Sequence, residues 1–189
     1  GAVAILGNSI TDGRGSTTNH QNRWPDILSD RLLANEATKN VAVLNMGIGG
    51  NCMLGGGLGP IGRIRYTADL LEQPGVKWII LFEAINDLGW ARDGVGSANA
   101  IIDVYKQIIS EAHAKGIRVF GGTITPFKNN GYYTEDHEKG RQHFNNWMRT
   151  TPLLDGVIEM EHAVRDPQDT LSMNPEFLFE NDYLHPNAK

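Results

Sequence analysis

Five short apolar runs, separated by stretches with helical periodicity, constrain most strongly what this chain of 189 residues can fold into. The runs are Val3–Leu6, Val41–Asn45, Trp78–Phe82, Ile117–Gly121 and Gly156–Met160. Each is apolar at almost every position, which is typical of strands that are buried on both faces of a sheet. The sequence therefore predicts five strands of a sheet that is covered on both sides.

Helical patterns lie between these runs. The predicted helices are Trp24–Asn35, a looser stretch over Ile61–Leu71, Ala98–Lys115 and Asp136–Arg149. In Ala98–Lys115 the apolar side chains recur at helical spacing, and Gly116 is expected to end this helix. Alternation of strands and helices without hairpin signals predicts an α/β fold with a parallel sheet. No repeat or linker divides residues 1–189, so we expect one domain; because the chain begins at Gly1 rather than methionine, we interpret it as part of a longer one.

In such sheets, ligands bind beyond the carboxyl ends of the strands. The segment Gly7–Gly13 follows the first run directly, and Ser9 lies where the chain turns toward the first helix. It differs from the G-x-S-x-G elbow of α/β-hydrolases, because Thr11 stands where that motif has its second glycine. Ser9 is therefore either a nucleophile or part of an ordinary turn or helix cap.

Asp182 and His185 near the carboxyl terminus supply the groups that a nucleophilic serine requires. Histidine is the usual base near neutral pH, and a carboxylate holds its tautomer. The alternative is a surface loop. Glu159 and His162 form a competing pair at the same spacing, in which we interpret Glu159 as part of the fifth strand and His162 as a packed or surface histidine. The remaining histidines lack a strand-end carboxylate three residues earlier; they are His20, His113, His137 and His143.

Two further strand ends offer donors for a developing oxyanion. Gly47–Asn51 is rich in glycine and can present backbone N–H groups, and Asn86 can present a side-chain amide. Each has an ordinary alternative, a tight turn for the glycines and a helix cap for Asn86. Together with Ser9 and His185, they place Ser, Gly and Asn at the ends of strands one, two and three, and His after the last strand.

This ordered set resembles the SGNH hydrolase family, the GDSL-like esterases and lipases. The matching blocks are Gly7–Thr11, Asn45–Asn51, Ala84–Asp87 and Asp182–Pro186. The resemblance implies a three-layer, flavodoxin-like α/β fold, a catalytic triad of Ser9, Asp182 and His185, and an oxyanion hole made by Ser9 N–H, Gly50 N–H and the Asn86 amide. It also implies that neither a metal nor an organic cofactor takes part.

Two positions depart from the family pattern. Asn8 stands where the family usually has aspartate, and it keeps the size and acceptor oxygen of aspartate without the charge. Ala84 stands where the family usually has glycine. If that position requires a positive φ, alanine costs about 1 kcal/mol there or displaces Asn86.

A narrower likeness points to the substrate. The segments Asn22–Asp26, Ala112–Gly116, Thr123–Phe127 and Arg165–Pro167 are similar to a subgroup associated with xylan deacetylation. This likeness favours hydrolysis of small acyl esters, acetyl in the first place, on a carbohydrate. Trp90, Tyr132 and Tyr133 are candidate platforms for stacking a sugar, or else ordinary packing residues.

Composition excludes few functions but favours some over others. The net charge of −5 comes without a basic run, and no apolar stretch approaches the about 20 residues of a membrane span, so we expect neither nucleic acid nor a membrane as partner. Cys52 is the only cysteine and can form no internal disulfide. Location stays open, although the family resemblance favours an extracytoplasmic one.

Two alternatives to an esterase remain. One is a flavodoxin-like module that cradles a phosphate with Ser9, Thr11 and Ser16–Thr18. The other is an inactive, carbohydrate-binding relative, suggested by Asn8 and Ala84.

Overall fold

A computed structural model describes residues 1–189 and contains five strands. They are β1 (Ala2–Gly7), β2 (Ala42–Gly47), β3 (Val76–Phe82), β4 (Arg118–Gly122) and β5 (Gly156–Ile158). The five predicted strands are confirmed, with limits that move by no more than two residues. β5 ends at Ile158, two residues before its predicted limit, because Met160 begins a helix.

All strand pairs are parallel, and the order in the sheet is β2-β1-β3-β4-β5. The predicted flavodoxin-like α/β fold is therefore confirmed, since this order is the one that such folds share. The chain leaves β1 toward one edge and returns to β3 on the other side of β1. The carboxyl ends of β1 and β3 thus flank the crevice in which doubly wound folds bind ligands.

Six helices lie between the strands, and a seventh follows β5. They are α1 (Ser9–Asp12), α2 (Trp24–Leu33), α3 (Gly62–Tyr66), α4 (Ile85–Gly89), α5 (Gly94–Ala114), α6 (Glu135–Thr150) and α7 (Met160–Val164). A π-helical turn, Thr67–Leu71, extends α3, and a short 3₁₀ turn covers Pro175–Phe177. The four predicted helices are present, whereas the pattern gave no sign of α1, α4 and α7, which are too short for periodicity to show.

The long helix α5 begins four residues before its predicted start at Ala98. The reason is Asp93, whose side chain accepts a hydrogen bond from Gly96 N at 2.9 Å and so caps the helix. The predicted end is correct. Gly116 has φ +71°, and its N–H donates to His113 O while Ile117 N donates to Ala112 O, which is a Schellman motif.

Helices cover the two faces of the sheet unequally. Ala2, Ala4 and Leu6 of β1 point into a cluster of 29 buried residues formed with the α3 segment, α5 and α6. Val3 and Ile5 point to the opposite face, which is packed mainly by α2. None of the helices is long and apolar enough to span a membrane. This arrangement encloses β1 and β3 between the two helical layers.

Candidate active site

Ser9, His185 and Asp182 meet at the carboxyl end of β1. Ser9 is the first residue of α1, and its Oγ lies 2.8 Å from Nε2 of His185. His185 Nδ1 lies 2.6 Å from Oδ2 of Asp182. Because a carboxylate only accepts hydrogen bonds, Nδ1 carries the proton, and Nε2 accepts from the serine hydroxyl. The structure thus joins three side chains that the sequence predicted to act together, across 176 positions of the chain.

The spacing of Asp182 and His185 follows from a local turn. Asp182 Oδ1 accepts hydrogen bonds from the backbone N–H groups of Leu184 and His185, both at 2.9 Å. The other carboxylate oxygen remains free for the imidazole. One aspartate therefore folds the turn and orients the histidine on it.

Burial and charge set the protonation of this pair. Burial lowers the pKa of His185; Asp182 raises that pKa and Arg14 lowers it, and the pKa stays below its ordinary value. Burial raises the pKa of Asp182, but hydrogen bonds from His185 and Leu184 more than offset this, and the pKa lies below its ordinary value. At neutral pH the imidazole is therefore free to accept a proton and the carboxylate is charged.

Three donors line the same cleft. Neither Ser9 N–H nor Gly50 N–H donates to an acceptor within the chain. The Asn86 amide donates one N–H to Asn51 O at 2.8 Å, and its second N–H has no acceptor within the chain. These residues border an open cleft of about 390 Å³ that also contains His185. The cleft thus offers unpaired N–H groups beside the serine hydroxyl, as stabilisation of an oxyanion requires.

Ala84 occupies a backbone conformation that favours glycine. Its φ is +110°, and the residue is fully buried. Position 84 therefore does require a positive φ, which is the condition under which alanine was expected to cost about 1 kcal/mol or to displace Asn86. Asn86 nevertheless keeps its hydrogen bonds to Asn51 and Tyr132.

Glu83, whose role the sequence did not predict, explains why asparagine rather than aspartate occupies position 8. Asn8 Oδ1 accepts from Ile10 N at 3.1 Å, which caps α1, and Nδ2 donates to Glu83 Oε2 at 3.1 Å. The same oxygen accepts from Ala84 N at 2.9 Å. Burial raises the pKa of Glu83 to about 8. An aspartate at position 8 would lack the donor and set two carboxyl groups together; the available signal was an acidic residue at the end of the apolar run of β3.

Two other buried ionic side chains hold the glycine-rich loop in place. Asp87 accepts from Met53 N and Leu54 N, both at 2.8 Å. Arg65, a second residue that the sequence reading missed, donates to Asn51 Oδ1 at 3.0 Å and to backbone carbonyls at the ends of β1 and β2. No sequence pattern sets Arg65 apart from the neighbouring arginine of α3. The backbone that carries Gly50 is consequently tied to both sides of the crevice.

The competing pair Glu159 and His162 has a structural explanation. Its closest atoms lie 3.8 Å apart, and Glu159 Oε2 is 2.7 Å from Arg149 Nη2. Donor atoms of Glu159, Glu161 and His162 lie near enough to one another to hold a metal ion. Arg149 already pairs with both carboxylates, however, at 2.7 and 2.6 Å, so this group forms an ion-pair cluster.

Three of the five hydroxyl groups proposed to cradle a phosphate are hydrogen-bonded within the chain, whereas Thr11 Oγ1 is buried without a hydrogen-bond partner. Ser9 bonds to His185, Ser16 donates to Gly13 O, and Thr17 accepts from Asn22. α1, with four residues, offers only a short N-terminus. The two tyrosines that were candidates for stacking a sugar lie in different surroundings: Tyr132 lines the cleft, whereas Tyr133 packs on Phe127.

The sequence profile of the GDSL-like lipase/acylhydrolase family matches residues 5–189. The chain belongs to this family. As a GDSL-like acylhydrolase, it is a hydrolase of ester bonds, and the predicted family is confirmed.

Solved structures share the fold. A protein described under the G-D-S-L lipolytic family, from Desulfitobacterium hafniense, superposes with a TM-score of 0.72 at 17% identity, over 99% of this chain and 91% of that one. TesA gives 0.71 at 19% identity, over 100% and 90%. The acetyl xylan esterase AlAXEase gives 0.69 at 20% identity, over 99% and 92%. No curated protein sequence matches the chain.

Proposed function

We propose that this GDSL-like hydrolase is a serine esterase that removes small acyl groups, acetyl in the first place, from a carbohydrate. The observation that carries the proposal is the hydrogen-bonded series from Ser9 Oγ through His185 to Asp182, with distances of 2.8 and 2.6 Å. This arrangement provides a nucleophile, a base and an orienting carboxylate.

The proposed reaction has two steps. His185 Nε2 takes the Ser9 proton while Oγ attacks the ester carbonyl, and the oxyanion is held by Ser9 N–H, Gly50 N–H and the free N–H of Asn86. His185 then protonates the departing alcohol as the carbon–oxygen bond breaks, which leaves an acyl group on Ser9. Water, deprotonated by His185, attacks this acyl-enzyme and releases the acid and free Ser9.

The residues that border the cleft favour a substrate with a small acyl group and a polar alcohol. This border is mixed: it includes the charged residues Asp12 and Arg14, and Leu58 and Leu184 are its aliphatic residues. An extended apolar wall for a long acyl chain is absent from this border. Trp90, 72% exposed, packs edge-on against Tyr132 and offers an aromatic surface at the rim. The fold shared with an acetyl xylan esterase supports the same choice.

The test compares p-nitrophenyl acetate with p-nitrophenyl octanoate at neutral pH, in wild type, Ser9→Ala and Ser110→Ala. Ser110 is an exposed serine on α5 and serves as the matched control. We expect acetate turnover in wild type and Ser110→Ala, at least tenfold slower octanoate turnover, and a loss of at least about 10³-fold in Ser9→Ala, in keeping with removal of a triad nucleophile.

A second assay measures acetate released from acetylated xylo-oligosaccharides. Release by wild type but not by Ser9→Ala supports the carbohydrate ester. Full activity in Ser9→Ala, or an octanoate preference in wild type, contradicts the proposal, and an absence of turnover with every ester favours the inactive relative instead.

A further inference from the structure

We infer that Tyr132 is a positioning residue that orients the Asn86 amide toward the oxyanion. The inference rests on the proposed function, since it concerns the same site. It adds a residue from the segment between β4 and α6, which supplies none of the groups in the reaction described above.

Both ends of the Asn86 side-chain amide are held. Nδ2 donates to Asn51 O at 2.8 Å, and Oδ1 accepts from the Tyr132 hydroxyl at 3.1 Å. The χ2 torsion of asparagine has a broad distribution, so one hydrogen bond alone leaves the amide free to rotate over a range of angles. The hydroxyl closes the second side and fixes the direction of the remaining N–H.

The protein makes room for this tyrosine. A Cβ on Gly89 would lie 2.3 Å from the Tyr132 ring, so only glycine lets the ring rest on α4. His137 lies between this loop and the end of α4, with Nδ1 2.6 Å from Tyr132 O and Nε2 2.9 Å from Ala91 O, and its ring N–H donates to one of these two carbonyls. Trp90 packs edge-on against the ring, with centroids 5.3 Å apart. The position of the hydroxyl is thus determined from several sides.

The same loop also reaches the base. Asn130 Oδ1 accepts from Tyr132 N at 2.8 Å, and Asn130 Nδ2 donates to Asp182 O at 2.7 Å. Tyr132 and Asn130 therefore connect the oxyanion donor with the turn that carries His185. The two halves of the site are held in register by one short loop.

The expected effect follows from the role of the donor. Loss of one oxyanion donor lowers kcat by about 10²–10³-fold. Removing the Tyr132 hydroxyl leaves the Asn86 amide present but poorly oriented, so we expect a loss of about tenfold. Since the interaction strengthens only in the transition state, kcat falls and KM changes little.

The experiment measures kcat and KM for p-nitrophenyl acetate in Tyr132→Phe and Tyr133→Phe, each alone and combined with Asn86→Ala. Tyr133 is the matched control, because its hydroxyl makes no hydrogen bond within the chain and its ring packs on Phe127. We expect Tyr132→Phe to lose about tenfold in kcat in the wild-type background and less than twofold in the Asn86→Ala background. Tyr133→Phe should stay within twofold of its parent in both.

A second measurement does not depend on turnover. The side-chain amide resonances of Asn86 in ¹H–¹⁵N spectra should shift in Tyr132→Phe and in Gly89→Ala, which displaces the ring, but not in Tyr133→Phe. If wild type lacks activity, the proposed function fails while these spectra still decide the inference. Unshifted Asn86 resonances, or an equal kcat loss with and without Asn86, overturn it.

Discussion

Residue 84 combines an alanine with a backbone angle that usually belongs to glycine. Its φ of +110° places Cβ close to neighbouring backbone, at a cost of about 1–2 kcal/mol. Alanine also brings two benefits relative to glycine. It restricts the unfolded chain by about 0.4–1 kcal/mol, and its buried methyl group contributes about 0.8 kcal/mol. Cost and benefit nearly cancel, which explains how the substitution persists beside Asn86.

We therefore predict that Ala84→Gly changes the free energy of unfolding by less than about 1 kcal/mol, since the relieved strain and the lost benefits are of similar size. Ala84→Val, which adds a branched side chain at a positive φ in a fully buried place, should destabilise by more than about 2 kcal/mol. Urea unfolding of both variants measures this. A strongly destabilised Ala84→Gly would show that the methyl group matters more than the backbone angle.

A second residue-scale prediction concerns Arg14. Its Nε lies 3.9 Å from Asp182 Oδ2, and its positive charge lowers the pKa of His185. Activity requires unprotonated His185 and so rises with pH through that pKa. Arg14→Gln removes the charge and lets the pKa rise, so the acid limb of the pH profile of kcat/KM should move to higher pH.

The control for this profile is Arg31→Gln, an exposed arginine on α2 without an ion-pair partner. Its acid limb should coincide with that of wild type. A limb that moves to lower pH in Arg14→Gln would contradict the assigned effect of the charge.

At the scale of elements, the crevice depends on how strand ends are joined. Arg65 of α3 is only 6% exposed. Its guanidinium donates to Gly7 O at 3.0 Å and to Met46 O at 2.7 Å, which are carbonyls at the ends of β1 and β2. Its Nε donates to Asn51 Oδ1 at 3.0 Å. A planar fork with several donors suits this geometry, and a lysine ammonium does not.

Arg65→Lys should therefore lower the free energy of unfolding by about 3 kcal/mol, because buried carbonyls lose their donors. It should also reduce kcat, because Asn51 accepts the hydrogen bond that anchors Asn86. Arg63→Lys, at an exposed position of α3, is the matched control and should stay within about 0.5 kcal/mol of wild type. Denaturant unfolding and ester hydrolysis give both values; equal stability of the two variants would contradict the prediction.

At the scale of the whole molecule, Arg141 links the half of the sheet that is farthest from β2. It is 1% exposed, donates to Glu138 at 2.6 and 2.8 Å, and lies 3.0 Å from Glu161 of α7. It also donates to Ile124 O at 3.0 Å, after β4. One guanidinium thus connects α6, α7 and the segment that follows β4.

We predict that Arg141→Met destabilises the protein by about 3–5 kcal/mol at pH 7, because Glu138 is left as a buried charge without a cation and Glu161 keeps only Arg149 as its ion-pair partner. Burial raises the pKa of Glu161, but Arg141 and Arg149 outweigh burial and hold that pKa below its ordinary value of 4.5. The stabilisation from this pairing is present above that value and is lost as pH falls through the folded pKa.

The difference in the free energy of unfolding between wild type and Arg141→Met should therefore become smaller as pH decreases below 4.5. Arg118→Met, at an exposed position of β4, is the control. Urea unfolding between pH 3.5 and 7 measures both; a deficit that is constant with pH would indicate lost packing rather than lost ion pairing.

By itself, the amino-acid sequence indicated the five strands, the four longer helical segments and the candidate site residues of this GDSL-like hydrolase. Buried parallel strands are continuous apolar runs, and a helix end with glycine at C′ has a local signature, so β1–β5 and the end of α5 at Gly116 were predictable. Ser9, the glycine-rich segment Gly47–Asn51 and Asn86 were predictable as site candidates, because they follow strands whose carboxyl ends meet. His185 was predictable as a candidate from its spacing to Asp182. That Ser9 and His185 lie within hydrogen-bonding distance was decided by the tertiary structure alone.

Only the tertiary structure revealed the residues that hold this site. Glu83 contacts Asn8 across 75 positions, Arg65 contacts Gly7 across 58, and Tyr132 contacts Asn86 across 46. Local pattern identifies which side chains turn inward, but a partner at such a separation is chosen by the packing of whole elements. A buried polar group must find its hydrogen bond wherever the fold brings one, and that place is a property of three dimensions rather than of sequence spacing.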